Sequence, residues 1–420
     1  MKLLSIIISV VLVCCTVTFQ SSNNNGFNFF AFNSTALALP DTLNSLKDIA
    51  LIGSNWIGVN FIIAQDSNTS NQVYFDDRTP TFDVWSIFVY QAHQHNLRVL
   101  LKPLIVCGDE CTFFNILPDN VTLWFSSYGE IIQNLSTIAQ ILNIDALSVG
   151  LELFHLSDKE YVSYWRSLIK NIRQGGYTGL LTYCSIFYPV ETQQIQFWDI
   201  LDFIGMDFYL PLLNITTQTI IPSYEHMIDR FSRYFQHFKQ WIDSQPLNTS
   251  SKQVILTETG YPSSLGGLAA PFANLPSRCV GNYSANFTLQ NMAFEAFFQA
   301  MKDNPGIING SIIFWWENPS TRDFDRNENL SVWPCSWSPH GKPAECTIAT
   351  AFGGKCPSIS IFPCFIFSTI EQIAFNYFQQ TFSITNINTN FIEYDQMLLK
   401  RRQDNQSFRI HNIHTGIYIT

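Results

Sequence analysis

Residues 146–152 read ALSVGLE and residues 253–258 read QVILTE, and each of these apolar runs ends in a glutamic acid. A continuous apolar run of this length is typical of a strand that lies in a parallel sheet and is buried on both faces. An ionised carboxylate is costly to bury in such a place unless it is paired. The positions of Glu152 and Glu258 therefore need an explanation that strand formation alone does not supply.

Six further strand-like runs accompany these two, and they lie at 26–32, 55–62, 97–103, 179–185, 203–209 and 311–316. Amphipathic helical patterns separate most of the runs, at 42–53, 83–95, 122–142, 157–176, 223–242 and 288–302, and only the connection around 189–198 is weak. Apolar strands that alternate with helices indicate an α/β protein, and eight of them predict a closed (β/α)8 TIM barrel over residues 24–356. A doubly wound open sheet is the alternative, but GFNFFAFNS (26–34) lacks the glycine-rich turn that usually follows its first strand.

Both ends of the chain differ from this pattern. Met1 and Lys2 precede the apolar run LLSIIISVVLVCCTV, whose length of about 15 residues is short of the roughly 20 that a membrane-spanning helix needs. We therefore predict a secretory signal peptide over residues 1–20, with a membrane anchor as the alternative. The mature chain is then secreted or lies in the endolysosomal lumen and has no membrane span. Residues 357–420 form a C-terminal extension of unknown structure.

Cysteine and asparagine usage agrees with secretion. Eight cysteines follow the signal peptide, and an even number in a secreted chain predicts disulfides. They are Cys107, Cys111, Cys184, Cys279, Cys335, Cys346, Cys356 and Cys364. The first two are close enough in sequence to form a local bridge, and the other pairings stay open. N-glycosylation sequons begin at Asn33, Asn68, Asn120, Asn134, Asn214, Asn248, Asn282, Asn286, Asn309, Asn329 and Asn405.

The charge of the chain limits its partners. The net charge is −10, which argues against a nucleic acid or an anionic surface as the ligand. Only 13% of residues are charged, against about 25% in a typical domain, so several glycans would explain its solubility. The sequence has no CxxC pair and no histidines at ligand spacing, so we expect no metal site. We also expect a monomer that needs no cofactor.

A barrel fold would bring the two glutamates together at one site. Function gathers at the carboxyl ends of barrel strands, and the fourth and seventh strands lie on opposite sides of the mouth. Glu152 and Glu258 can therefore face one another, although either one alone could be a solvated strand end or half of a salt bridge. Retaining hydrolysis of a glycosidic bond needs two carboxyl groups about 5–5.5 Å apart, one as nucleophile and one as acid/base. Leu151 and Leu153 would favour a protonated Glu152.

Other side chains at the strand ends would bind the sugar. Trp315 and Trp316 end the eighth strand, and by strand alternation one is expected in the core and the other, Trp316, at the mouth. On the sixth strand Asp207 precedes Tyr209, which would hydrogen-bond and orient the nucleophile. Lys102 would bind sugar hydroxyls, or would extend its stem along apolar surface to reach water.

These motifs, in this order, resemble glycoside hydrolase family 113. The residues that carry the resemblance are RVLLKP (98–103), WFSSYGEII (124–132), GLEL (150–153), GLLTY (179–183), WDILDFIGMDFYLPL (198–212), LTETGYPS (256–263), IIFWW (312–316) and SPHGKPAE (338–345). The resemblance implies a (β/α)8 barrel of the large retaining clan with endo-β-1,4-mannanase activity on a polysaccharide or oligosaccharide. It makes Glu152 the acid/base and Glu258 the nucleophile. Tyr209 then matches the family's tyrosine on strand six and Tyr183 the tyrosine of its LTY motif, and both are expected to bind substrate.

Two residues depart from the family pattern. Leu151 stands where a polar residue usually precedes the acid/base, and Leu104 stands where a histidine usually follows Lys-Pro. Both changes remove groups that would hydrogen-bond the sugar, so they bear on which sugar is bound. The alternatives are a glycosidase of the same clan acting on another β-glycan and a carbohydrate-binding barrel that has lost catalysis. An esterase or protease is disfavoured because the chain has no GxSxG nucleophile elbow.

Overall fold

The computed structural model describes residues 24–107, 115–213, 221–273, 285–317 and 335–357, together with the backbone of two short segments at 410–413 and 416–419. The predicted signal peptide, Cys111 and most of the C-terminal extension lie outside the described residues. Their predictions therefore stay predictions.

Eight parallel strands form a closed barrel in which every strand pairs with its neighbours in sequence and the first pairs with the eighth. Their bounds are β1 Asn24–Ala31, β2 Trp56–Ala64, β3 Arg98–Val106, β4 Ala146–Leu151, β5 Leu180–Ile186, β6 Ile204–Phe208, β7 Val254–Thr259 and β8 Gly310–Ile313. This confirms the predicted (β/α)8 TIM barrel. Two further strands, β9 Ile410–Ile413 and β10 Gly416–Ile419, form a separate antiparallel pair in the extension.

Helices follow the strands as the sequence predicts. Their bounds are α1 Pro40–Leu51, α2 Phe82–Gln94, α3 Val121–Ile141, α4 Val162–Gln174, α5 Tyr224–Asp243, α6 Leu247–Ser250, α7 Leu265–Ala269, α8 Phe287–Asp303 and α9 Pro343–Phe352. The connection from β5 to β6 carries only a 3₁₀ turn at Trp198–Ile200, which agrees with its weak pattern. None of the described helices is both long and apolar enough to cross a membrane.

The helix after β4 begins later than its sequence pattern predicts, at Val162 instead of near 157. A 3₁₀ turn at Lys159–Tyr161 comes first, because the Asp158 side chain accepts a hydrogen bond from the Lys159 backbone and caps this turn. The Ser157 hydroxyl instead donates back to the Phe154 carbonyl. Residues 152–158 thus form a tight loop after β4, and this loop carries Glu152.

Apolar side chains fill the lower half of the barrel, and a group of buried polar side chains lies above them. The residues Trp56, Leu100, Ala146, Phe203, Ile255 and Ile312, from the lower halves of the strands, form one buried cluster. Above this cluster, Asp207 accepts hydrogen bonds from the side chains of Lys102 and Thr257. The barrel is therefore a packed core below and a polar site above, as in other barrels of this kind.

Strands β4 and β7 each contain one extra residue just before their glutamates. Along β4, Ser148 and Leu151 pair with residues of β5 that are only two apart, and β7 shows the same mismatch against β6 and β8. Such a bulge redirects the side chains that follow it. In β7 the Thr257 hydroxyl donates to Asp207, and the next residue, Glu258, also faces the barrel interior, which strict alternation would forbid.

Disulfides are present, but not all of the eight cysteines are paired. Cys346 is bonded to Cys356, and Cys107 and Cys335 are also disulfide-bonded. Cys184 on β5 is a buried free thiol and takes part in no disulfide. Its side chain packs against Leu104 and Leu151 inside the barrel and not against another cysteine.

Candidate active site

Glu258 stands at the end of β7 with both carboxyl oxygens held by donors from other strands. Oε1 accepts hydrogen bonds from Asn60 Nδ2 at 2.6 Å and from Lys102 Nζ at 2.5 Å. Oε2 accepts from the Tyr209 hydroxyl at 2.8 Å, which is the contact that the sequence predicts for that tyrosine. Three donors, one of them cationic, fix the orientation of this carboxyl group.

Lys102 and Asp207 lie beneath Glu258 and not against the cleft. Lys102 Nζ also donates to the Thr257 carbonyl at 3.2 Å and to Asp207 Oδ1 at 3.5 Å, and neither Lys102 nor Asp207 is exposed by more than 1%. Burial opposes ionisation of Lys102, but the Asp207 and Glu258 carboxylates outweigh it and raise the pKa of the ammonium. Burial and the Glu258 charge raise the pKa of Asp207 to about 7.

These positions correct two sequence-based expectations. Lys102 neither binds sugar hydroxyls nor reaches solvent, because its ammonium group pairs with Glu258 inside the barrel. Asp207 is likewise a partner of Lys102 and Thr257 and is too deep to contact a sugar. The position of a residue along its strand could not reveal this burial. How deep a side chain lies in the barrel depends on how many inward-facing residues of its own and the neighbouring strands lie above it.

Glu152 follows β4 in a very different environment. Its backbone has a φ of +49°, in the left-handed region that a glutamate rarely occupies, and the residue is 8% exposed. Within the described residues its carboxyl group accepts no hydrogen bond, and Leu151 and Leu153 flank it. Burial, followed by the charges of Asp207 and Glu258, raises the pKa of Glu152 well above its ordinary value.

The two glutamates thus lie in different environments. Glu258 is held as an oriented carboxylate by Lys102, Asn60 and Tyr209, whereas Glu152 is favoured in its protonated form. Two neighbouring carboxyl groups with environments that separate their protonation states can provide a nucleophile and a proton donor at the same pH. This is the chemistry that cleavage of a glycosidic bond requires.

The tryptophans are arranged in the opposite way to the sequence-based expectation. Trp316 is fully buried, stacked on His340 and edge-on to Phe27, so it belongs to the core and not to the mouth. Trp315 lies edge-on to Phe30 and Phe32, which are partly exposed. Strand β8 ends at Ile313, so alternation no longer applies two residues later. Trp315, itself only 5% exposed, therefore packs with the partly exposed Phe30 and Phe32, whereas Trp316 lies in the core.

Tyr183 does not contact the cleft either. The residue is fully buried among Trp165 and Phe197 on the helix side of β5, which excludes the expected contact with substrate in this conformation. Its hydroxyl donates to Glu191 Oε1 at 2.6 Å and accepts from the Leu153 backbone N–H at 2.8 Å. Tyr183 therefore touches the loop that carries Glu152 and not the sugar.

Sequence reasoning missed two residues near the glutamates. Asn60 is a polar residue inside the apolar run NWIGVNFI (55–62). Lys102, which pairs with Asn60 on the next strand, is likewise a polar residue inside an apolar run, so the same sequence signal could have identified Asn60. Glu191 is a fully buried carboxyl group in the weak fifth connection, and nothing in its local sequence marks it. Only the fold shows that it reaches Tyr183.

An apolar wall, defined here as Phe30, Leu104, Val106, Leu151 and Cys184, lies beside Glu152. Leu151 precedes Glu152 and Leu104 lies two residues beyond Lys102, so both departures from the family pattern fall in this wall. Phe30 stacks on Phe32 at 4.1 Å between ring centroids, which extends the apolar surface to Trp315. This part of the site offers contact area but no side-chain hydrogen-bonding groups except the Cys184 thiol.

A metal site is not evident in the part of the chain that the structure describes, where no group of three or more His, Cys, Asp or Glu side chains could hold an ion.

A (β/α)8 barrel with one glutamate directly after β4 and another at the end of β7 is the arrangement of a class of glycoside hydrolases. The profile of Glycoside Hydrolase Family 113 matches residues 27–332, well over half of the chain, so the chain belongs to this family and is a glycosidase. No curated protein matches the chain at a significant level.

Solved structures of the same family share the fold. A structure described as a GH113 β-1,4-mannanase is 21% identical, covers 79% of this chain and 99% of its own, and superposes with a TM-score of 0.63. The β-mannanase AaManA from Alicyclobacillus acidocaldarius, in complex with ManMIm, is 22% identical with a TM-score of 0.65, and the alignment covers 79% and 97% of the two chains. At these identities the likeness concerns the fold.

Proposed function

We propose that the protein is a retaining glycosidase that cleaves β-1,4-mannan or a closely related β-glycan. The observation that carries the proposal is the contrast between the two glutamates. Glu258 is held as a carboxylate by three donors, whereas burial and like charge favour a proton on Glu152. The retaining mechanism needs this division between nucleophile and acid/base.

The proposed reaction has two steps. First, a Glu258 carboxylate oxygen attacks the anomeric carbon while Glu152 transfers its proton to the departing glycosidic oxygen, so the C–O bond breaks as a glycosyl ester forms. Second, the Glu152 carboxylate removes a proton from water, and the water oxygen displaces Glu258 from the anomeric carbon. Tyr209 and Asn60 keep Glu258 oriented through both steps, and the Trp315 ring provides an apolar platform for the sugar.

Mannan is the first substrate to test because the structural relatives named above are β-mannanases. Initial rates on soluble β-mannan, glucomannan, galactan and xylan should show the highest kcat/KM on a mannose-containing chain. A higher kcat/KM on galactan or xylan would identify that glycan, and not mannan, as the preferred substrate. The two-glutamate mechanism would be unaffected. Binding without turnover of any of the four would favour the carbohydrate-binding alternative.

The apolar wall should set how strongly the enzyme prefers one sugar. We expect Leu151→Asn to raise kcat/KM on mannooligosaccharides about tenfold, because one good hydrogen bond to a sugar hydroxyl in the transition state is worth roughly 1–1.5 kcal/mol. Leu151→Met is the control, since it keeps the apolar surface and should leave the rate within about threefold. If the Asn and Met variants behave alike, position 151 has no part in sugar recognition.

The pH profile should reflect the raised pKa of Glu152. A general acid works only while protonated, so kcat/KM falls as the pH rises through the pKa of Glu152 in the free enzyme. Burial and the charges of Asp207, Glu258 and Glu191 raise that pKa, and Lys102 lowers it only in part. We therefore expect the alkaline limb of the kcat/KM profile on mannan to lie well above the ordinary glutamate pKa of about 4.3. An alkaline limb near that ordinary value would contradict the role of Glu152.

A further inference from the structure

Three successive backbone N–H groups, those of Glu152, Leu153 and Phe154, donate hydrogen bonds that hold the start of the Glu152 loop in a disfavoured conformation. The Glu152 N–H donates to the Cys184 carbonyl at 2.8 Å, and the Phe154 N–H donates to the Glu152 carbonyl at 2.9 Å. The third donor is the Leu153 N–H, which binds the Tyr183 hydroxyl at 2.8 Å. Because a φ of +49° is unfavourable for glutamate, neighbouring contacts must maintain it.

A buried carboxyl group determines the direction of the third hydrogen bond. Glu191 Oε1 accepts from the Tyr183 hydroxyl at 2.6 Å and Oε2 accepts from the Ile186 N–H at 2.7 Å, and neither Glu191 nor Tyr183 is exposed. A tyrosine hydroxyl has one proton. With that proton directed to Glu191, the oxygen lone pairs are free to accept from Leu153.

Gly150, within the bulge of β4, makes room for this connection. A Cβ atom at Gly150 would lie 2.7 Å from a Tyr183 ring carbon and 2.9 Å from the Trp165 ring, so only glycine lets β4 approach Tyr183 this closely. The Tyr183 ring is held edge-on by Trp165 and Phe197, at centroid distances of 5.4 and 5.7 Å. The tyrosine is therefore a rigid link between the fifth connection and the Glu152 loop.

We propose that Glu191 and Tyr183 are positioning residues for the acid/base: Glu191 orients the Tyr183 hydroxyl, and that hydroxyl anchors the Leu153 peptide and so fixes the direction of the Glu152 carboxyl group. The inference rests on the proposed role of Glu152 as proton donor. Neither residue touches substrate. Their contribution lies in the geometry of proton transfer, where a displacement of about 1 Å can lower the rate by roughly a hundredfold.

Two substitutions interrupt the link in different ways. Tyr183→Phe keeps the ring packing but leaves the Leu153 N–H without its acceptor. Glu191→Gln keeps the shape, but its single amide oxygen cannot accept from both Tyr183 and Ile186. If that oxygen serves Ile186, the amide NH₂ faces Tyr183 and turns the hydroxyl proton towards Leu153. Both variants should therefore misplace Glu152 while leaving Glu258 and its three donors unchanged.

The test compares two leaving groups. Cleavage of β-mannan requires protonation of the departing oxygen, whereas the phenolate of a 2,4-dinitrophenyl β-mannobioside leaves without it. We expect Tyr183→Phe and Glu191→Gln to lower kcat/KM on mannan by about tenfold to a hundredfold, and on the aryl substrate by less than about threefold. The double variant should be no slower than the slower single variant, because both act through one hydrogen bond.

Tyr128→Phe is the matched control. Tyr128 is also fully buried, also lies near Trp165, and also bonds β4, through its hydroxyl and the Val149 carbonyl at 2.8 Å. Its loss should lower the melting temperature comparably while changing kcat/KM on the two substrates by the same factor. If Tyr183→Phe does not fold, Glu191→Gln provides the same comparison.

Equal losses on both substrates, or an unchanged rate on mannan, would overturn the positioning proposal. Glu152→Gln identifies which hypothesis has failed. If Glu152→Gln lowers the rate on mannan selectively but the two positioning variants do not, Glu152 is the acid and the link is only structural. If Glu152→Gln itself shows no selectivity, the assigned role of Glu152 is wrong and the proposed function fails with it.

Discussion

Glu258→Ala should lower turnover of β-mannan by roughly 10⁴-fold or more, since removing the nucleophile of a covalent mechanism removes its first step. Azide should restore part of the activity by occupying the space of the missing carboxylate. Because it would displace the leaving group directly, the product should be a glycosyl azide of inverted anomeric configuration. Proton NMR of that product gives the configuration.

The structure adds a requirement to this experiment. Glu258 neutralises the buried Lys102 together with Asp207, so its removal leaves a fully buried ammonium group with one carboxylate partner at 3.5 Å. Part of any loss could then come from unfolding, because breaking a buried ion pair is destabilising. Glu258→Gln keeps the volume and can still accept from Lys102. It should lose activity to a similar degree, with a folded far-UV circular dichroism spectrum in both variants.

Glu130→Ala is the matched control for the loss of a carboxylate. Glu130 is exposed on α3, away from the barrel mouth, and its removal should leave kcat and KM unchanged within about twofold. If a folded Glu258→Gln keeps more than about a tenth of the activity on mannan, Glu258 is not the nucleophile.

The strands and both glutamates could be predicted because they depend on local sequence. An apolar run of five to nine residues that ends in a polar residue indicates a buried strand and its carboxyl end without knowledge of any partner. The order of eight such runs then predicts the barrel, in which strands four and seven face one another. The family motifs added a predicted division of roles between Glu152 and Glu258, and in the structure the two carboxyl groups have different surroundings.

The errors arose where strand periodicity fails. The bulges before Glu152 and Glu258 insert one residue each, so alternation no longer predicts which side chains face inward. Strand β8 ends at Ile313, so alternation does not hold at Trp315 and Trp316, and it predicts the wrong one of the two in the core. No local sequence pattern indicates how deep a side chain lies in the barrel. The sequence therefore predicts Lys102 and Asp207 in the cleft, whereas both lie beneath it.

Long-range partners form a third group that sequence could not reveal. Asn60 and Glu258 are 198 residues apart along the chain, and Lys102 and Glu258 are 156 apart. The Tyr183–Glu191 hydrogen bond spans only eight residues, but its role depends on the Leu153 peptide, which lies thirty residues from Tyr183 in the loop after β4. Such contacts form only when the barrel closes and buries these side chains at the same level. No periodic pattern in the sequence predicts which side chains will meet in this way.

Glu152→Ala should have a different signature from Glu258→Ala. On β-mannan we expect kcat/KM to fall by about 10²–10⁴-fold, the usual contribution of a general acid. On 2,4-dinitrophenyl β-mannobioside the first step needs no proton, so kcat/KM should stay within about tenfold of the unmodified enzyme. Deglycosylation then becomes slow because water has lost its base, and azide should accelerate it while giving a glycosyl azide of retained configuration.

The stability of this variant provides an independent check on the environment of Glu152. The substitution removes a buried carboxyl group that accepts no hydrogen bond within the described residues, and the alanine keeps the same φ of +49°. Loss of an unpaired buried polar group should leave the melting temperature unchanged or raise it, as is common when a catalytic group is deleted. A large fall in melting temperature would mean that the carboxyl group stabilises the loop.

The azide products would also reveal a reversal of the two roles. If Glu152→Ala gave the inverted glycosyl azide and Glu258→Ala the retained one, Glu152 would be the nucleophile and Glu258 the acid/base. The donors around Glu258 would then orient an acid instead of a nucleophile.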